Sequence, residues 1–236
     1  MNLFYSANIN DNEAILDEDE FRHCCKVLRH RVGDIIHITN GTGILAEAKI
    51  SEIKKQEAIL EIRSIETHSG NKNPFVIAIA PPKNRSRWEW FLEKSVEVGV
   101  DKIMPFVGYH SEMVKINSER SRKIIRSASL QSLRYHHPEI TEIQPLNNLV
   151  ASYNSLEFNK LIATYNPANK HIIEIKFQPL PTIILIGPEG DFSASEIEIC
   201  NKAGFISINI SQNRLRTETA GVIAINLAIN AAQKQI

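Results

Sequence analysis

The chain has 236 residues, 43% of them hydrophobic, with 27 Lys and Arg set against 27 Asp and Glu. That balance supplies a buried core in one large domain or two small ones, excludes a disordered or low-complexity polymer, and argues against a uniformly basic nucleic-acid binder. Cys24 and Cys25 are adjacent and Cys200 is distant, so no disulfide framework and no CxxC metal or redox motif can be written. No run of about 18 apolar residues reads as a membrane span. The opening MNLFYSANIND lacks the basic start and apolar stretch of a secretory signal, so a cytoplasmic protein with reduced thiols is expected.

In chain order, residues 34–39 (DIIHIT), 44–50 (ILAEAKI) and 58–65 (AILEIRSI) are short β-rich runs broken by Asn40-Gly41-Thr42-Gly43 and Lys54-Lys55-Gln56. Short strands with frequent turns predict a small barrel over 1–70. The polar run 67–74 (THSGNKNP) marks a boundary. Over 74–236, buried strands at 75–80 (FVIAIA), 102–107 (KIMPFV), 161–165 (LIATY) and 182–186 (TIILI) alternate with helical periods. That alternation predicts an α/β domain with a mainly parallel sheet. Trp88, Phe91, Leu92, Ser95 and Val96 share one helical face, and Gly99 is its stop. Ser118 is expected to cap a second helix whose exposed face bears Arg120, Arg122, Lys123, Arg126 and Arg134. Ser193 and Glu196 form an S-x-x-E capping box for a third, which Gly204 ends before the alternating strand 205–210 (FISINI). Residues 220–232 are apolar on almost every side, interrupted mainly by Asn226 and Asn230, so this helix must be buried in the core or against a partner chain.

Charge is unevenly placed. Residues 1–73 carry 9 Lys and Arg against 12 Asp and Glu, a net of −3, whereas residues 83–134 carry 11 against 6, a net of +5. A basic sector inside a neutral chain points to a phosphate-bearing partner, with Arg122, Arg126 and Arg134 among its candidate contacts.

Two loops sit where an α/β domain places a ligand. Gly187-Pro188-Glu189-Gly190-Asp191 follows the buried TIILI strand and precedes the helix capped at Ser193. Glycine there permits close backbone approach to a ligand, although a Gly-Pro turn is also common punctuation. No Lys-Ser/Thr follows, so it is not a P-loop. The second loop, Arg214-Leu215-Arg216-Thr217-Glu218-Thr219-Ala220-Gly221, sets two arginines, a carboxylate and two hydroxyls ahead of an otherwise featureless helix. Its plainest reading is a cap by Thr217 or Thr219, with Glu218 favouring the helix dipole and Arg216 paired to a carboxylate. His23, Cys24, Cys25 and His30 invite a metal site, but vicinal cysteines cannot easily both reach one tetrahedral ion, and no metal is expected. His136 and His137, before Pro138, read as an RNA-facing or solvated turn.

Together, GPEGD at 187–191 and LRTETA at 215–220, with SASEI between them, resemble the RsmE family of small-subunit ribosomal RNA uridine-N3 methyltransferases, in the SPOUT superfamily. His23 followed by Val27-Leu28-Arg29 and Gly33-Asp34 looks like that family's PUA-like RNA-binding barrel, and EKSVEVGV at 93–100 resembles its first catalytic-domain helix. The resemblance covers most of the chain. It implies a PUA-like β-barrel over 1–70 and, over 74–236, an α/β domain tied in a deep trefoil knot that binds S-adenosylmethionine. It also implies a homodimer built on the last helix, with 16S ribosomal RNA or the small ribosomal subunit as partner. Carried onto this chain, Ile186, Gly187, Pro188, Glu189, Gly190, Leu215, Arg216, Thr217, Thr219 and Ala220 would hold the cofactor, and His23 and Arg29 would join the RNA contacts. Replacing Gly187 by a β-branched residue is expected to abolish cofactor binding with the fold intact. Arg216 is the candidate for stabilising charge on the uracil carbonyls or holding the target phosphate; Glu218 is the candidate for orienting Arg216 or accepting the N3 proton. The chain departs from the family's pattern at Asp191, where glycine is common, at Leu130, where a glutamate precedes Gln131 and Arg134, and at Asn2-Leu3-Phe4-Tyr5, where arginine is usual. A methyltransferase for a ribose 2′-hydroxyl and a non-catalytic RNA-binding module are the competing readings.

Overall fold

In the computed structural model, which describes residues 2–154 and 157–235, the front of the chain folds on β1 (Leu3–Tyr5), β2 (Glu13–Leu16), α1 (Glu18–Phe21), a π-helical turn over Arg22–Val27, β3 (Ile35–Thr39), β4 (Ile44–Ile53) and β5 (Ala58–Thr67). These strands pair in the order β1-β3-β4-β5-β2, with β1 parallel to β3 and the rest antiparallel. Period two is plain in β4, where Ala46, Ala48 and Ile50 are buried in alternation. Register shifts at Glu47/Ala48 and Ile50/Glu52 bend β4 against β5, which curls the sheet around Phe4, Leu16, Ile38, Ile50 and Leu60.

One boundary differs from the sequence reading. Arg126–His137 group with Met1–Gly70, and the second unit is Asn71–Ile125 with Pro138–Ile236. The Gly41 carbonyl accepts the His137 N–H and the Tyr135 carbonyl accepts the Gly43 N–H, both at 2.9 Å. Gly41 and Gly43 have φ of 75° and 105°, and a Cβ on either would come within 2.5 Å of the His137 or His136 ring. The Asn-Gly-Thr-Gly turn is therefore a seat for His136 and His137, which are half-buried rather than solvated.

The second unit contains β6 (Phe75–Ile79), α2 (Arg85–Val98), β7 (Lys102–Val107), α3 (Ser118–Gln131), β8 (Glu139–Ile140), β9 (Gln144–Pro145), α4 (Leu146–Tyr153), β10 (Asn159–Ala163), β11 (Thr182–Ile186), α5 (Ala194–Lys202), β12 (Ile206–Ile208) and α6 (Thr217–Gln233). α3 starts in this unit, and its residues from Arg126 onward belong with the front unit. The sheet runs β12-β10-β11-β6-β7-β8 with every pairing parallel. All five residues of β11 are buried, as a central parallel strand covered on both faces requires.

Several helix ends follow local rules. Asn84 caps α2 by accepting the Ser86 and Arg87 N–H groups, and Gly99 closes it with φ 108°. The Ser193–Glu196 capping box on α5 is present, and Glu196 also accepts the Tyr109 N–H at 2.8 Å. At α3 the cap is Asn117, whose Oδ1 accepts the Arg120 N–H at 2.9 Å; Ser118 instead donates to Glu142. Adjacent Asn and Ser are both good caps, so the sequence alone leaves that end uncertain by one residue. Arg134 lies past the end of α3 rather than on its face. α6 packs on α2, β6 and β11. Gly221 allows that approach, since a Cβ there would lie 2.6 Å from Phe91. Burial of α6 is one-sided: Gly221, Ala224, Ile225, Ala228 and Ala231 are buried, while Val222, Ile223, Leu227 and Ile229 are half-buried. Among the described residues no helix is long and apolar enough to cross a membrane.

Candidate active site

Because β12, β10 and β11 are adjacent and parallel, the loops that leave them open on one edge of the sheet, where ligands of parallel α/β folds bind. They enclose a cleft of about 530 Å³. Ile186, Gly187, Pro188, Glu189 and Asp191 form one wall, and Arg214, Leu215, Arg216, Thr217 and Ala220 another. Both loops singled out in the sequence are thus brought together. A third wall, Ala163-Thr164-Tyr165 with Asn209, Ile210, Ser211 and Asn213, carried no sequence signal beyond turn-forming Asn and Ser.

Hydrogen bonds fix the 187–191 loop. Lys83 N–H donates to Glu189 Oε1 at 3.1 Å, Arg214 donates to the Glu189 carbonyl at 3.2 Å, and the Asp191 N–H reaches the Pro188 carbonyl at 2.9 Å. Asp191 holds φ 63°, the left-handed conformation that glycine adopts freely and Asp tolerates. In exchange its carboxylate accepts the Phe192 N–H at 2.8 Å and the Tyr165 N–H at 3.4 Å, tying the loop after β11 to the loop after β10. Gly187 is demanded by proximity rather than by φ, since a Cβ would sit 3.0 Å from the Phe192 ring. Gly190 lies outside the cleft lining, beside His110.

Arg216 is the N-cap residue of α6, and no side chain caps the helix; neither Thr217 nor Thr219 does so. The exposed Arg216 stands where the cleft meets a second hollow of about 270 Å³, lined by Asn84, Ser86, Arg87, Trp90, Glu218 and Thr219. Thr219 therefore faces the hollow and not the cleft. Glu218 is buried, with Oε1 3.5 Å from Arg87 Nε of α2, and its Oε2 has no hydrogen-bond partner. Among the described residues no ion pair joins Glu218 to Arg216, so its positional partner is Arg87, contrary to the sequence expectation.

The proposed RNA contacts fall in several places. His23 and Arg29 are exposed on the front unit, Arg29 with φ 62°. Arg122 is exposed and pairs with Glu142 at 3.6 Å, while Arg126 is half-buried with its guanidinium 4.0 Å from the Tyr5 ring centroid. Arg120 pairs with Glu89 and Lys123 with Glu119, so the basic sector is partly neutralised by its own surface acids. Burial pushes the Cys24 and Cys200 thiols up to about 12, which leaves them protonated packing groups.

The chain matches two family models: an RNA methyltransferase domain over residues 69–229 and an RNA methyltransferase PUA domain over residues 16–63. It is 31% identical, over 94% of its own length and 90% of the relative's, to a ribosomal RNA small subunit methyltransferase E of Buchnera aphidicola. Its fold superposes with a TM-score of 0.91 on a probable rRNA methyltransferase from Porphyromonas gingivalis, at 33% identity over the full length of both chains. A ribosomal RNA small subunit methyltransferase E from Neisseria gonorrhoeae, solved bound to S-adenosylmethionine, superposes with a TM-score of 0.85 at 27% identity over 95% of each chain. With both domains matched in order and the whole length covered, the chain belongs to the ribosomal RNA small subunit methyltransferase E family, with the SPOUT α/β fold behind a PUA-like domain.

Proposed function

We propose that this chain transfers the methyl group of S-adenosylmethionine to N3 of a specific uridine in 16S ribosomal RNA, acting in the cytoplasm as a homodimer. The cleft at the carboxyl ends of β12, β10 and β11 carries the reading: both family motifs line it, and the gonococcal relative binds that cofactor. The residues fit the group. A volume of about 530 Å³ lies within the usual range for small-molecule sites, and the carboxylates of Glu189 and Asp191 on its wall complement a ligand that carries a sulfonium and an ammonium charge. Ile186 to Glu189, Leu215 to Thr217 and Ala220 would hold it.

Bound there, the cofactor supplies an already activated methyl group. The chain's own task is alignment of the acceptor nitrogen, which contributes roughly 7–11 kcal/mol in well-oriented reactions. Arg216, at the junction of cleft and hollow, faces the negative charge that develops on the uracil carbonyls. His23, Arg29, Arg122, Arg126 and Arg134 supply cations for the RNA backbone. The half-buried Val222, Ile223 and Leu227 on α6 support a partner chain covering that face, with a dimer expected by analytical ultracentrifugation. Incubating the purified protein with labelled cofactor and either small subunits or naked 16S RNA tests the activity: label recovered as 3-methyluridine supports it, and label on a ribose or no transfer to either substrate rejects it.

A further inference from the structure

The second hollow shares only Arg216 with the cleft, and its lining carries a buried polar atom without a hydrogen-bond partner. Glu218 is buried among Arg87, Trp90, Arg216 and Thr219, and its Oε2 has no donor. A buried acceptor without a partner is costly, and a ligand that brings a donor would offset that cost. Cations flank it: Arg87 Nε of α2 lies 3.5 Å from Oε1, and Arg216 stands at the N-terminus of α6, whose first-turn N–H groups have no side-chain cap. Among the described residues, Arg87 and Arg216 are the charged groups lining the hollow with Glu218. The lining therefore offers a carboxylate acceptor together with guanidinium donors. The imide edge of uracil presents the complement, a carbonyl, an N–H and a carbonyl. Cytosine would turn an unprotonated N3 toward the carboxylate, and a ribose hydroxyl would leave the flanking donors unmatched. Trp90, 42% exposed at the rim, offers an aromatic face for stacking an extruded base.

We propose that this hollow seats the acceptor uracil, with Glu218 accepting the N3–H, Arg87 and the first turn of α6 holding the two carbonyls, and Trp90 stacking on the ring. This rests on the methyl transfer proposed above and adds the residues that choose the base. The N3 proton passes to the Glu218 carboxylate, N3 bonds the methyl carbon, and the electron pair of the broken methyl–sulfur bond stays on sulfur; Glu218 then releases the proton to water.

The test uses the full-length protein and an RNA substrate on which wild-type protein forms 3-methyluridine; failure to form it rejects the underlying reading and not this site alone. Given that activity, Glu218→Gln should bind S-adenosylmethionine within about twofold of wild type by calorimetry while kcat at pH 7 falls about 10²- to 10⁴-fold. Its residual rate should climb about tenfold per pH unit as hydroxide takes over proton removal. A substrate with 5-fluorouridine at the target, whose N3 is more acidic, should recover part of the loss. A Glu218→Gln enzyme with wild-type kcat and pH profile, or one that loses cofactor affinity in parallel, overturns the assignment. Independently of that variant's folding, a uridine oligonucleotide should quench the tryptophan emission of the wild-type protein at concentrations where the matching cytidine oligonucleotide does not, with the quenching lost in Trp90→Phe, and Trp90→Phe should keep a lower RNA KM than Trp90→Ala. Equal quenching by the two oligonucleotides, or equal KM values, also overturns it.

Discussion

Replacing Gly187 with valine probes how tightly the cleft loop at 187–191 is coupled to the core beneath it. A Cβ at this position would lie 3.0 Å from Cδ2 and Cε2 of Phe192 and 3.4 Å from the Asp191 carbonyl carbon. Phe192 is itself buried and stacks on Phe106 with ring centroids 6.0 Å apart, so it cannot swing aside without disturbing a fully buried aromatic. Overpacking of this kind costs about 1–3 kcal/mol. For a chain of this length each kcal/mol lowers Tm by about 2–4 °C, which gives a fall of roughly 2–12 °C. The displaced ring also pushes on the Asp191 turn that joins two walls of the cleft, so affinity for S-adenosylmethionine drops in the same variant. To the expectation drawn from sequence, a lost ligand in an intact fold, the contact with Phe192 adds a lowered Tm: both observables fall together. Gly187→Ala, with the same Cβ and no γ-methyls, should lie between wild type and valine. Scanning calorimetry and titration calorimetry read the two effects, and a valine variant with wild-type Tm and unchanged affinity would refute the reasoning.

Acid should loosen the seat of His137. Burial first, then Arg126, Arg134 and His136, push its imidazole from 6.5 down to about 4. The unfolded chain takes up this proton first, so the site's contribution to stability is whole above about pH 6.5 and is lost as pH falls toward 4. The full shift corresponds to about 3 kcal/mol, discounted because the ring is partly solvated. Urea unfolding of His137→Gln should therefore show a shallower decline between pH 6.5 and 4.5 than wild type, and parallel curves would contradict this. Asp191→Gly relieves the left-handed backbone but removes the carboxylate's bonds to Phe192 and Tyr165, each effect being about 1 kcal/mol. Its Tm should stay close to wild type while cofactor affinity drops several-fold, and unchanged affinity would take the carboxylate out of the site. Arg122→Ala with Arg126→Ala should weaken RNA binding and flatten its log–log salt dependence by about one unit for each phosphate no longer neutralised; an unchanged slope would move the RNA to another face.

Both cleft loops were legible in the sequence because each breaks a strongly apolar run with glycine or with hydroxyl and charged residues. β7 and β11 fall on the predicted bounds because their apolar runs end abruptly at Gly and Pro or at charged residues. Three features were hidden for one physical reason: local pattern records what a residue prefers, not what it meets. The wall made by Thr164-Tyr165 with Asn209, Ser211 and Asn213 reads as ordinary turn composition. Residues 126–137 continue a helical pattern of the second unit yet close on the glycine turn at 40–43 of the first. Glu218 sits beside Arg216 in sequence but meets Arg87, which only the packing of α6 on α2 brings within reach.

The most direct test of the central claim is mass mapping of 16S ribosomal RNA from cells lacking this gene and from the same cells carrying it restored. One uridine should bear a methyl group on the base at N3 in the restored strain and none in the deletion, and restoration with Glu218→Gln should leave that position largely unmethylated. Identical maps from the two strains, or a methyl group found on the ribose of that nucleotide, would contradict the assignment of this chain as a uridine-N3 methyltransferase.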